Sequence, residues 1–181
     1  MRCKWCDTAY GFEGGEKKSF ERILSEIKSY GIELVELTGG EPLAQPLTAE
    51  FSKRLVDEGY KVLIETGGGE DISALGEKVH IIMDIKCPDS GMSGKNRYEN
   101  IEHLKATDEI KFVIASRQDY LWARDLCREK GLDKKCPILF SVAFGLLKEK
   151  DLASWMVEDK LPYRLNLQQH KYIWSPKAKG V

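Results

Sequence analysis

The sequence lacks the features that would take a protein to a membrane or to nucleic acid. No stretch approaches the roughly 20 apolar residues that span a bilayer, and the first residues carry neither the apolar segment nor the cleavage site of a signal peptide. The 28 basic and 29 acidic residues give a formal net charge of −1, so there is no basic footprint for phosphate backbones or anionic lipids. We expect a cytoplasmic protein without direct nucleic-acid or membrane partners.

Cysteine is also scarce. The five cysteines are odd in number and mostly scattered, which favours reduced thiols over a disulfide framework. Only Cys3 and Cys6 stand close together, and their spacing suits a zinc knuckle, a redox dithiol or an iron–sulfur cluster. A zinc site would need another close pair, and a thioredoxin-like site would need the motif between a strand and a helix. The sequence supports neither of these two readings.

The composition is that of one globular domain over residues 1–181, with 42% hydrophobic and 31% charged residues and no low-complexity run. Short apolar, β-branched runs alternate with segments of helical spacing. Strands are predicted over residues 33–37, 61–65, 80–85, 109–114, 137–142 and 163–167, and helices over 19–30, 48–58, 96–105, 118–130 and 148–160.

This alternation predicts an α/β fold with parallel strands joined by helical crossovers. The architecture is then an open doubly wound sheet or a full or partial (β/α) barrel, and about six strands are too few for a closed eight-unit barrel. In either case ligands meet the carboxyl ends of the strands. The loops that follow the strands are therefore where chemistry is expected.

Two glycine-rich loops that carry a carboxylate follow the first two strands. Residues 38–42 (TGGEP) combine exposed backbone carbonyls with Glu41, which would suit the ammonium group of an amino acid better than a phosphate. Residues 65–69 (ETGGG) begin with a carboxylate, that of Glu65, at the end of the second predicted strand. A plain tight turn is the alternative for both loops, and taken alone it is favoured for the second.

Charged residues alternate along the next two strands. Asp84 and Lys86 share one side of the sheet, as do Glu109 and Lys111, and charges in a barrel mouth are costly unless they are used. Structural ion pairs are the alternative. The last strand is followed by the polar and aromatic segment 167–174, in which His170 taken alone is more typical of a structural histidine.

Taken together, the CKWC motif at residues 3–6 and the TGGEP loop resemble the radical S-adenosylmethionine (SAM) enzymes. In that superfamily a Cys-x3-Cys-x2-Cys loop binds a 4Fe-4S cluster, and an aromatic residue precedes the last cysteine, as Trp5 does here. The motifs CDT, TGGEPL, ETGG, DIKCP, EIKFV and LQQHK are similar to those of the 7-carboxy-7-deazaguanine synthase family, over nearly the whole chain.

This resemblance implies a homodimeric partial (β/α) barrel of about six parallel strands that forms 7-carboxy-7-deazaguanine from 6-carboxy-5,6,7,8-tetrahydropterin with loss of ammonia. The product would feed 7-deazapurine and queuosine synthesis, and an electron donor such as flavodoxin would reduce the cluster. The resemblance also implies site residues. Cys3 and Cys6 would bind the cluster and Thr8 would bind Mg²⁺; Trp5, Asp7, Gly39, Gly40, Glu41, Asp84, Lys86 and Ser141 would bind SAM; Thr38, Glu65, Lys111, Gln168, Gln169, His170 and Val181 would bind the pterin.

The sequence departs from the family pattern at its start. The pattern places a first cysteine four residues before Cys3, ahead of Met1, and a first strand before the cluster loop. We therefore expect an N-terminally truncated domain that lacks its first strand and is inactive as given. The alternatives are another radical SAM enzyme, such as a glycyl-radical activase, and a non-catalytic α/β protein without a complete cluster site.

Overall fold

The computed structural model describes residues 1–6, 8–12, 14–176 and 178. In this part of the chain, six parallel strands form one sheet, and helices connect most of them. The strands are β1 (Leu34–Leu37), β2 (Lys61–Thr66), β3 (Val79–Asp84), β4 (Glu109–Ile114), β5 (Ile138–Val142) and β6 (Arg164–Leu165), and the α-helices are α1 (Phe20–Tyr30), α2 (Thr48–Asp57), α3 (Arg117–Lys130), α4 (Glu149–Glu158) and α5 (His170–Ile173).

The strand order decides between the two predicted architectures. Every strand lies beside its neighbours in sequence, from β1 to β6, whereas a doubly wound sheet reverses its order at a switch point. Sequential parallel strands with helices on one face curl as in a (β/α) barrel. Helix α2 packs on β2 and β3, α3 packs on β4, and α4 packs on β5. Because β1 and β6 are the edges of the described sheet, the barrel is partial.

The helix ends follow from local capping signals. The Ser19 hydroxyl accepts a hydrogen bond from the Arg22 amide at 3.3 Å and begins α1, and the Ser116 hydroxyl caps α3 in the same way. Gly31 and Gly131 adopt left-handed conformations and end these two helices. The predictions for α1 to α4 are therefore confirmed apart from small shifts at their ends.

The helix predicted over residues 96–105 is wrong. This segment contains a 3₁₀ turn at Tyr98–His103, because it is anchored by the buried side chain of Asn100. The Asn100 amide nitrogen donates to the carbonyl oxygens of Gly68 and Glu70 at 3.2 and 2.7 Å, and its oxygen accepts from the Ile72 amide at 3.3 Å. Asn100 thus holds the long loop between β2 and β3 against the segment before β4. The last predicted strand is also shorter, and a short helix, α5, follows it.

The two faces of the sheet differ in polarity: one carries the apolar core, and the other carries polar side chains near the strand ends. Ile64, Ile81 and Phe112 belong to the fully buried core. On β2 and β4 the alternate positions, among them Glu65 and Lys111, are not fully buried, and side-chain alternation puts them on the face towards the barrel interior. The polar side chains near the carboxyl ends of the strands therefore meet at one end of the barrel. No helix in the described ranges is long and apolar enough to cross a membrane.

Candidate functional site

A cavity of about 350 Å³ opens at the carboxyl ends of the strands. Described residues of the N-terminal segment, among them Met1, Trp5 and Phe12, form part of the lining, and residues at the ends of β1 to β6 form the rest. Of the site residues predicted from the sequence, those that line the cavity are Cys3, Trp5, Cys6, Thr8, Thr38, Gly39, Gly40, Glu41, Glu65, Asp84, Lys86, Lys111, Ser141, Gln168 and His170.

Among the predicted residues that lie in the described ranges, Gln169 is not part of this lining. Gln169 is exposed at the start of α5, where its carbonyl accepts hydrogen bonds from the amides of Tyr172 and Ile173. The structure therefore does not bring Gln169 to the site, because the turn into α5 directs Gln168 and His170 inward and Gln169 outward. Asp7 and Val181 lie outside the described residues.

The two closely spaced cysteines stand on a tight turn at the cavity wall. The Cys6 amide donates to the Cys3 carbonyl at 3.2 Å, and the Lys4 amide donates to the Ser90 carbonyl, which docks the turn on the loop after β3. Both thiols are half-buried. Burial raises the pKa of the Cys3 thiol, and the nearby Lys86 ammonium partly opposes this. The Cys6 sulfur lies 3.6 Å from the Thr8 hydroxyl oxygen.

The glycine loop after β1 packs directly against the N-terminal loop. A Cβ atom at Gly40 would lie 3.3 Å from the Phe12 ring, so a larger residue would push the two loops apart. Gly39 has a φ of +130°, which side chains rarely tolerate, and a Cβ atom there would meet nothing within 4 Å. The backbone at Gly39 is therefore open towards the cavity.

The Glu41 carboxylate connects this loop to the end of β2. Its Oε1 accepts hydrogen bonds from the Thr66 hydroxyl at 2.8 Å and from the Leu43 amide at 3.1 Å. Its Oε2 accepts from the Gly67 amide at 2.8 Å. Glu41 is thus held by its protein neighbours before any ligand is considered.

Four charged side chains form a network across the ends of β2, β3 and β4. The Lys86 ammonium lies 2.9 Å from Asp84 Oδ2, and the Lys111 ammonium lies 3.7 Å from the same oxygen and pairs with Glu65. Asp84 and Lys111 are register partners on adjacent strands, which explains why they meet. Two carboxylates and two ammonium groups leave the network without net charge.

Burial gives the network its electrostatic character. Burial alone would lower the pKa of Lys86, but the carboxylates of Asp84 and Glu41 and the Cys3 thiol outweigh it, so the pKa of Lys86 is raised and its ammonium form is favoured. Burial raises the pKa of Asp84, against the effect of Lys86. Asp84 Oδ1 is buried and has no hydrogen-bond partner in the described part of the chain. Such an atom at a cavity wall suits a ligand that donates a hydrogen bond.

The cavity lining also contains residues that were not predicted from the sequence, namely Asn166, Phe144 and Lys171. The side-chain Nδ2 of Asn166 donates to the Ser141 hydroxyl at 3.2 Å, and that hydroxyl donates to the backbone carbonyl oxygen of Asn166 at 2.6 Å. Phe144 and Lys171 also line the cavity, with the Lys171 ammonium 4.9 Å from the centre of the Phe144 ring. A polar residue directly after β6 was a usable signal for Asn166, whereas the position of Phe144 depends on the turn after β5.

The donor set fits an iron–sulfur cluster and an amino-acid ligand better than a metal ion held by protein residues alone. No group of three or more His, Cys, Asp or Glu residues within the described ranges could hold a metal ion. Cys3 and Cys6 present two thiols on one wall. The open backbone at Gly39 and the unpartnered oxygen of Asp84 provide acceptors for an ammonium group or another donor nearby.

Comparison with known proteins points in the same direction. A profile of the radical SAM superfamily matches residues 1–152. The 7-carboxy-7-deazaguanine synthase of Koribacter versatilis is 45% identical over 100% of this chain and 87% of that protein. A protein of the same name from Chlorobaculum tepidum is 41% identical over 99% of this chain and 83% of that protein.

Solved structures share the fold. The crystal structure of QueE from Escherichia coli has a TM-score of 0.72 and 21% sequence identity, covering 92% of this chain and 79% of that chain. The crystal structure of Streptococcus suis SuiB bound to S-adenosylmethionine has a TM-score of 0.64 and 16% identity, covering 99% of this chain and 50% of that chain. At these identities the likeness concerns the fold alone.

Proposed function

This chain belongs to the radical SAM superfamily and, within it, to the 7-carboxy-7-deazaguanine synthase family, and we propose that it converts 6-carboxy-5,6,7,8-tetrahydropterin to 7-carboxy-7-deazaguanine with loss of ammonia. It is then a lyase on the route to 7-deazapurines such as queuosine. The observation that carries the proposal is one cavity that holds the closely spaced cysteines, the TGGE loop and a charged network at the strand ends. Relatives with this name match the chain over almost its full length.

The cofactors of the proposed reaction are a 4Fe-4S cluster and SAM. Cys3 and Cys6 would bind the cluster, together with the cysteine that the family pattern places four residues before Cys3. When bound, the cluster and SAM supply one-electron chemistry that removes a hydrogen atom from the substrate. The backbone of Gly39 and Gly40, with Glu41 and Asp84, would hold the amino-acid part of SAM, because these groups offer acceptors next to the cysteine wall.

The chain's own residues would bind and orient the pterin. A pterin has a carboxylate and a ring edge with both donors and acceptors, and small-molecule sites place a few polar groups against such features. Lys111 is an ammonium group for the carboxylate, while Glu65 and Gln168 can pair with the ring edge. Thr38 and His170 would add polar contacts, and the Phe144 ring would offer an apolar surface to the substrate, because all three line the cavity.

Mg²⁺ is the metal ion that we propose beside the cluster. The Thr8 hydroxyl is a hard oxygen ligand on the cavity wall, and Mg²⁺ prefers oxygen ligands and keeps several waters. The substrate carboxylate would supply another oxygen. Thr8 would therefore orient the substrate through the ion without contacting iron.

The remaining parts of the proposal concern partners and location. A flavodoxin-like protein is the proposed electron donor, and a homodimer is the proposed assembly. Both follow from the resemblance to the 7-carboxy-7-deazaguanine synthase family. The reducing cytoplasm is the proposed location, since the described cysteines are all free thiols.

The experiment that tests the function uses an N-terminally extended protein with a cysteine four residues before Cys3, reconstituted with iron and sulfide without oxygen. With SAM, Mg²⁺ and a reductant, it is expected to consume 6-carboxy-tetrahydropterin and release 7-carboxy-7-deazaguanine and ammonia in equal amounts. A Cys6→Ala variant of the extended protein is the matched control and should form no product. Cleavage of SAM without consumption of the pterin, over a range of pterin concentrations, would contradict the proposal.

A further inference from the structure

The end of β2 carries a buried hydroxyl that is hydrogen-bonded to the glycine loop after β1. Thr66 is 1% exposed, and its hydroxyl donates to Glu41 Oε1 at 2.8 Å while it accepts from the Gly68 amide at 3.2 Å. A valine would fill the same space, so the threonine at this position is explained by its hydrogen bonds and not by packing. The first bond joins β2 to a residue 25 positions earlier, and the second closes the turn directly after Thr66.

The Glu41 carboxylate has little capacity left after its contacts with the protein. An ionised carboxylate offers about four acceptor positions, two on each oxygen. The Thr66 hydroxyl and the Leu43 amide take both positions on Oε1, and the Gly67 amide takes one on Oε2. About one position remains for a ligand, and the place of the carboxylate is set by the end of β2.

The residue after Thr66 shows that the close approach of this carboxylate is built into the loop. A Cβ atom at Gly67 would lie 3.2 Å from Glu41 Oε2 and 3.6 Å from Lys86 Cε. A larger residue at position 67 would therefore crowd the carboxylate, which would have to shift by a few tenths of an ångström. The Thr66 hydroxyl and the absent side chain at Gly67 therefore serve the same contact.

We propose that Thr66 is a positioning residue for the SAM loop, defined here as residues 38–41. Its hydroxyl fixes the Glu41 carboxylate, and through it the backbone of Gly39 and Gly40 that faces the cavity. The clamp between Thr66 and Glu41 stands on the geometry alone, while its effect on SAM rests on the proposed function. Glu41 then acts mainly by shaping the loop, and its charge contributes less to SAM binding than a direct ammonium contact would.

The first experiment tests the clamp in the cluster-free chain by hydrogen exchange of the segments 38–48 and 64–70. Thr66→Val keeps the shape and removes the hydroxyl, so exchange in both segments is expected to become about tenfold faster. Thr66→Ser keeps the hydroxyl and should stay within twofold of the parent. Thr107→Val, at an exposed position before β4, is the control for the substitution itself. Unchanged exchange in Thr66→Val would overturn the clamp.

The second experiment measures SAM affinity in the extended, cluster-loaded protein. Thr66→Val and Glu41→Gln are each expected to weaken SAM binding about tenfold, and the double variant to bind no more than about twofold more weakly than Glu41→Gln alone. Effects that multiply in the double variant would mean that Glu41 acts on the ammonium independently of Thr66, and would overturn the proposal. If the parent protein binds no SAM, the proposed function fails, while the exchange experiment still decides the clamp.

Discussion

Removing the Lys86 ammonium should destabilise the protein, because it leaves a buried carboxylate short of one partner. Asp84 and Lys86 are 2.9 Å apart, with side chains that are 9% and 16% exposed. In Lys86→Met the apolar part of the side chain is largely kept and the charge is lost. Asp84 would then have one nearby ammonium group, that of Lys111 at 3.7 Å, which is shared with Glu65.

The structure sets the size of the effect. Breaking a fully buried ion pair by removing one partner costs about 3–5 kcal/mol. Lys86 retains some exposure, and Lys111 still compensates part of the Asp84 charge. We therefore expect Lys86→Met to lower the free energy of unfolding by about 2–3 kcal/mol, below the full value for such a pair.

The assay is urea unfolding of the cluster-free chain, followed by circular dichroism. A second variant, Asp84→Asn combined with Lys86→Met, restores charge balance by leaving the Glu65 and Lys111 pair alone. It should regain at least half of the lost free energy of unfolding, because a missing buried pair costs far less than a broken one. Lys53→Met, on the exposed side of α2, is the matched control and should stay within about 0.5 kcal/mol of the parent.

Two results would refute this reasoning. One is a Lys86→Met variant as stable as the Lys53→Met control. This would mean that removing the Lys86 ammonium does not leave Asp84 as an unpaired buried charge. The other is a double variant no more stable than Lys86→Met, which would mean that Lys86 contributes packing and not charge. The expected outcome would show that Asp84 needs the Lys86 charge as long as Asp84 is itself charged. Removing both charges of the pair would cost the fold much less stability.

Three further predictions follow from the site. In the native cluster-free chain, iodoacetamide at mildly alkaline pH should modify Cys3 and Cys6 but not the other three cysteines. The reason is that burial raises the pKa of Cys127 to about 12 and of Cys136 to about 11, and also encloses Cys87. Peptide mass mapping checks this, and labelling of Cys127 or Cys136 before unfolding would contradict it. In the extended protein, Thr8→Ala should weaken the dependence of turnover on Mg²⁺ while the iron content is unchanged, since the hydroxyl is an oxygen ligand; unaltered activation by Mg²⁺ would remove Thr8 from the site. Gln168→Ala should raise the KM for the pterin about tenfold, whereas Gln169→Ala should leave the KM within twofold of the parent value. The reason is that, of these two glutamines, Gln168 lines the cavity and Gln169 does not. A larger effect at Gln169 would contradict this and show that the turn into α5 differs in the working enzyme.

The local elements could be predicted from the sequence because their signals lie within a few residues. The strand predicted over 109–114 is observed with the same bounds, since its apolar residues alternate regularly. Helix α1 begins after Ser19 and ends before Gly31, where the capping chemistry requires. The helix prediction over 96–105 failed because the Asn100 side chain is hydrogen-bonded to a loop about 30 positions earlier in the chain.

The motifs also named residues that the structure brings to one cavity, since the carboxyl ends of parallel strands converge in any α/β fold. Glu41, Glu65, Asp84 and Lys111 were selected on that ground and do line one cavity. Their individual contacts could not be foreseen. Glu41 was expected to face a ligand, and the structure shows it bonded to the end of β2.

The sequence by itself determined the alternation of strands and helices, the capping of the helices and the residue types at the strand ends. The tertiary structure alone decided that the strands follow one another in order, that Asp84 stands opposite Lys111, and that Thr66 reaches a carboxylate 25 positions earlier. The physical reason is distance along the chain. Propensity, periodicity and capping act between near neighbours, whereas register and strand order are set by packing the whole apolar face of the sheet under its helices.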